Sequence, residues 1–162
     1  LKSKEGILMR RTTRVAFGFF VFTSLTSVLF LSPCFAAADI AVIVNPANHS
    51  VWKKDEISTQ IKDLFLSKRE RFPDGTSAKT FDQPPGEALR TEFYSELIGL
   101  DETGMNSYWS NLIFTGNGRP PKVVGGDHEV MKAIKENVGG IGYIDAKTAP
   151  ENVKVIYVLK SK

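Results

Sequence analysis

FTGNGRPPKVVGGDHEVMKAIKENVGGIGYI, residues 114–144, decides the fold. Asp127 follows Gly125 and Gly126 and precedes Val130, Ala133, Ile134 and Val138, apolar residues at helical spacing. An acidic residue so placed reads as an N-cap, and the spacing predicts a helix with one buried face. Gly139 and Gly140 predict a positive φ at the helix end. Ile141, Gly142, Tyr143 and Ile144 then read as a strand with a close-approach glycine. Gly140 and Gly142 are therefore expected to serve structure and not ligand contact. A helix that feeds a strand through a tight loop is a building unit of α/β domains.

The apolar run Ile40–Val44, IAVIV, closed by Asn45 and Pro46, predicts a strand buried on both faces and central in the sheet. Between these strands three helices are expected. One, over 55–66, buries Ile57, Ile61, Leu64 and Phe65. A second, over 87–98, buries Leu89, Phe93, Leu97 and Ile98 and stops at Gly99. A third, over 104–114, carries Met105, Tyr108, Trp109, Leu112 and Ile113, aromatics read as core and not as a stacking platform. Residues 77–81 and 153–159 read as further strands, and Gly116, Asn117 and Gly118 as a turn. The basic cluster Lys68–Arg71 reads as a solvated helix end.

The first 38 residues read as an export signal. Lys2, Lys4, Arg10, Arg11 and Arg14 precede an apolar run from Val15 to Leu31, and Ala36, Ala37 and Ala38 offer the small residues of a cleavage site. Thr23, Ser24, Thr26 and Ser27 dilute that run and disfavour a membrane anchor. Residues 39–162 are then expected to form one domain in the periplasm. The only cysteine, Cys34, would leave with the signal, so no disulfide, thiol nucleophile or cysteine metal site is expected.

The chain holds 21 Lys+Arg and 18 Asp+Glu. Five of the bases and, among the acids, only Glu5 precede Asp39, which leaves 16 and 17. A domain so close to neutral does not call for nucleic acid. His49 has no His, Asp or Glu at metal-ligand spacing and reads as a solvated loop residue. The serines lack a nucleophile elbow, and Gly116–Gly118 is too short for a nucleotide loop. No enzyme, metal or cofactor is expected.

The F-x-G at Phe114, the Pro120–Pro121 pair, the E-V-M-K-A-I helix, G-G-I-G-Y-I at its end and V-N-P-x-N from Val44 to Asn48 together resemble the substrate-binding proteins of phosphate ABC transporters. The resemblance runs from Ile40 to Ile144. It implies an α/β, three-layer domain with a mixed, mainly parallel sheet covered by helices, similar to one lobe of a type II periplasmic binding protein. In that family Ser-Gly-Thr at a helix N-terminus holds the oxyanion, as backbone N–H groups at the positive end of a helix should. Aligned on Phe93, this chain reads Glu87-Ala88-Leu89-Arg90-Thr91-Glu92-Phe93: the Arg and Phe match, and Ser-Gly-Thr does not.

Arg90 is thus the expected ligand contact, with Asn45 as its neighbour, and the implied ligand is phosphate or another small anion, held weakly. The implied partner is an ABC transporter or another periplasmic protein. The alternative is a non-enzymatic interaction domain that has lost ligand binding, its cleft face meeting another protein or a second copy in a homodimer.

Overall fold

The structure, a computed structural model, describes residues 38–161; the expected export signal, apart from Ala38 itself, lies outside them. Five strands form one mixed sheet. They are β1 (Ile40–Val44), β2 (Lys79–Asp82), β3 (Lys122–Val123), β4 (Gly140–Asp145) and β5 (Lys154–Leu159), in the order β3-β2-β4-β1-β5. β2 runs parallel to β3 and β4, while β1 runs antiparallel to both β4 and β5. Four strands therefore point one way and β1 alone is reversed, which makes the sheet mixed, with two parallel and two antiparallel ladders.

All five residues of β1 are buried, as an apolar run predicts. The middle position, expected for β1, belongs instead to β4. β4 is buried on both faces as far as Ile144, and Gly142 lets a helix settle on it: a Cβ there would meet Val130 Cγ1 at 2.7 Å.

Alternation along β1 divides the core. Ile40, Val42 and Val44 face one cluster with α1 (Ile57–Phe65), α2 (Ala88–Phe93) and α3 (Glu102–Phe114), which contribute Ile61, Phe93 and Trp109. Ala41 and Ile43 face a smaller cluster with Val130 and Ile134 of α4 (Asp127–Lys135). The result is three layers. α1 buries Ile57, Ile61, Leu64 and Phe65, as its spacing predicts. α2 continues through a π-helical turn, Tyr94–Ile98, and stops at Gly99, whose φ of 80° supplies the left-handed end. Phe93 stacks on Tyr143 at 4.0 Å between ring centroids, which places that aromatic pair inside the core.

Several local expectations differ: α4 ends at Lys135, so Val138, expected on its buried face, lies beyond it and is 56% exposed. Asp127 is the first residue of α4, and Gly126 is its N-cap. Gly139 and Gly140 do not have positive φ. Close contact requires them instead: a Cβ on Gly139 would lie 2.0 Å from the Ser77 carbonyl oxygen, and one on Gly140 2.9 Å from that of Asn137. β3 was not expected. It is two exposed residues after a proline pair, too short to show a period.

Candidate functional site

β2 ends at Asp82, whose side chain is buried where β2, β3 and β4 finish. Its Oδ1 accepts hydrogen bonds from the Tyr143 hydroxyl and from Gln83 N at 2.9 Å. Its Oδ2 accepts from Arg90 Nε at 3.1 Å and from the Tyr94 hydroxyl at 2.9 Å. A buried carboxylate demands such donors, and four elements supply them: β4, the end of β2, α2 and the π-helical turn.

Arg90 is 6 % exposed. Nη1 donates to the Glu102 carboxylate at the start of α3, and the guanidinium lies 4.9 Å from the Tyr94 ring centroid. Burial alone would lower its proton affinity; the Asp82 carboxylate more than offsets this, and the net shift is upward. Burial, and then Asp82, push the Tyr94 and Tyr143 phenols well above the ordinary tyrosine range. Both are held as neutral donors.

The network continues along the sheet edge. Gln83 Nε2 donates to Asp127 Oδ1 at 2.8 Å, and Asp127 Oδ2 accepts from Thr148 Oγ1 at 2.6 Å and Asp145 N at 3.1 Å. Asp82 and Glu102 thus share one guanidinium, while Asp127 joins the network through the neutral Gln83 amide. Chemically, this arrangement holds internal carboxylates and repels a second anion. On the same edge the chain enters β1 and leaves β5, where Lys160 Nζ pairs with Asp39 Oδ2 at 2.6 Å. That ion pair and the Ser161 N–H hold the Asp39 carboxyl below its ordinary range.

Asn45 lies elsewhere. Its Nδ2 donates to the carbonyls of Ile134 (2.8 Å) and Lys135 (3.1 Å) at the end of α4, and its Oδ1 accepts from Ala47 N at 2.8 Å. Because β1 runs antiparallel to β4, its C-terminal end meets the start of β4, with Asn45 N bonded to Gly140 O. Asn45 and Arg90 therefore stand at opposite ends of the sheet, which corrects the expectation that they neighbour each other. Among the described residues no group of His, Cys, Asp and Glu could hold a metal ion.

The residues sequence reasoning missed are Asp82, Gln83, Tyr94, Glu102 and Tyr143. One signal was available: Asp82 closes a strand just before a helix, where α/β sheets place their sites.

No protein-family model matches the chain, and no curated protein does. Solved structures do. One is a candidate phosphate ABC transporter substrate-binding protein from Clostridium perfringens with bound phosphate, 16% identical, TM-score 0.55, covering 74% of this chain and 45% of that one. Another is an ABC-type phosphate transport receptor from Vibrio cholerae, 16% identical, TM-score 0.56, covering 75% and 47%. The chain has the fold of part of these proteins and spans about half of their length.

Proposed function

We propose that the protein is an exported, periplasmic, non-enzymatic domain with a solute-binding-protein fold, which works by protein contact and does not capture phosphate tightly. The observation that carries this reading is the seating of Arg90, buried and engaged by both Asp82 and Glu102. A phosphate would have to displace Glu102 and then sit beside Asp82. It would gain one charge-assisted contact of about 1.5–3 kcal/mol, against an association cost of roughly 4 kcal/mol or more. Affinity is then millimolar or weaker. The partner in this reading is a macromolecule, either a transporter component or another periplasmic protein.

Titration of the purified protein with phosphate by calorimetry, with its mass measured in solution, tests the reading. A dissociation constant below about 10 μM overturns it. A second reading, a weak oxyanion site at Arg90, draws on the neighbour with bound phosphate and on Glu102, whose side chain is 42% exposed and so displaceable. Glu102→Gln separates the two. A gain in phosphate affinity favours the weak site, and silence favours the interaction domain.

A further inference from the structure

At the other end of the sheet, where β2 and β4 begin, the segments that follow α1 and α3 stand side by side. Ser67 Oγ donates to the Arg119 carbonyl at 2.7 Å and ties them together. Tyr108 adds a second tie, its hydroxyl donating to Leu66 O at 2.7 Å. Ser67 holds a φ of 53°, the left-handed residue that ends α1, where Ser67 N bonds Leu64 O at 3.2 Å and Lys68 N bonds Asp63 O at 2.9 Å. Gly118 closes the seam: a Cβ there would lie 2.6 Å from Leu112 Cδ2. The walls are thus built in advance.

Between and beside them lie two adjoining grooves of about 490 and 660 Å³, which share Ser67, Glu70, Arg119 and Pro120. Arg69, Lys79 and Lys122 line the first, so four cations face one acid, Glu70. Among the described residues Arg69, Arg119 and Lys122 take part in no ion pair, and the Lys79 amine bonds the neutral Asn137 side chain. Like charges fixed on preformed walls repel until an anion arrives. Ile113 lines the second groove, and the next residue, Phe114, is 91% exposed. β3 is an edge strand that pairs only with β2, so its outer backbone groups are open to pairing.

We propose that this groove docks an acidic, extended peptide segment of a partner protein that also carries a large apolar side chain. Its carboxylates meet Arg69, Arg119 and Lys122, its apolar side chain covers Ile113 and Phe114, and its backbone adds to β3. A nucleic acid would also satisfy the cations and could stack a base on Phe114, but it has no backbone amides to pair with the open side of β3, which favours a peptide. The proposal does not depend on how the Asp82 edge is used.

The test is fluorescence anisotropy of the purified protein with a labelled peptide of two Asp-Glu-Leu-Asp-Glu-Phe repeats. Binding should weaken as salt rises. It should fall by roughly tenfold or more in Arg69→Glu/Arg119→Glu. Both side chains are exposed, so the melting temperature of that variant should hold. Replacing Leu and Phe of the peptide by Ser should also weaken binding several-fold. Four results would overturn the proposal: no binding, equal binding by the double variant, equal binding of the Ser peptide, or tighter binding of a single-stranded oligonucleotide. Self-association abolished by the same two substitutions would give the groove to a second copy and also overturn it.

Discussion

Arg90 Nε stands 3.1 Å from Asp82 Oδ2, and the two side chains are 8% and 3% exposed. The pair joins the end of β2 to the first turns of α2, and Glu102 extends it to α3. The arginine that the resemblance offers as the anion contact is thus engaged by two carboxylates of the chain itself.

Arg90→Ala should destabilise the protein by about 3–5 kcal/mol, because it leaves the Asp82 carboxylate buried with only neutral donors. Glu102→Gln should cost about 1 kcal/mol or less, since that carboxylate is half-exposed and solvent screens its charge. Denaturant unfolding of both variants checks the ordering; equal losses would mean that the Asp82 side of Arg90 matters no more than the exposed side.

Stability should fall above pH 10. Tyr94 and Tyr143 have raised pKa values in the folded state, against an ordinary value of 10.0. The unfolded chain therefore releases these protons first. The stabilisation is fully present below pH 10 and is lost as pH rises beyond it, by about 1.4 kcal/mol per pH unit for each phenol. Phenolate absorbance should rise together with unfolding, and Tyr94→Phe/Tyr143→Phe should flatten the alkaline limb. A limb unchanged in that variant refutes the assignment.

Asn45→Ala should lower stability by about 1–3 kcal/mol, because the carbonyls of Ile134 and Lys135 lose their donor. Phosphate titration should be indifferent to it. Any change in anion affinity would place Asn45 in a site the topology does not give it.

Gly139→Ala should be severe, on the order of 3 kcal/mol or more, because its Cβ would fall 2.0 Å from a backbone oxygen that cannot swing aside. At Gly126 a Cβ meets nothing within 4 Å, so Gly126→Ala should cost only about 1 kcal/mol as an N-cap change. Thermal melts of the two variants check the contrast.

What could be read from sequence was local. The period of Ile57, Ile61, Leu64 and Phe65 specified a helix and its buried face, five apolar residues specified β1, and Gly99 specified the stop that its left-handed φ provides. These follow from sterics and burial within a few neighbouring residues. The tertiary structure decided the partners. Asn45 bonds carbonyls 89 and 90 positions away, Tyr143 reaches Asp82 across 61, and Gly139 is constrained by the backbone of Ser77. Strand order and the reversal of β1 set those meetings, and no local period carries them. Arg90 shows the difference most directly: its helix was legible, but its charge is satisfied by carboxylates that only the packing of β2 and α3 brings within reach.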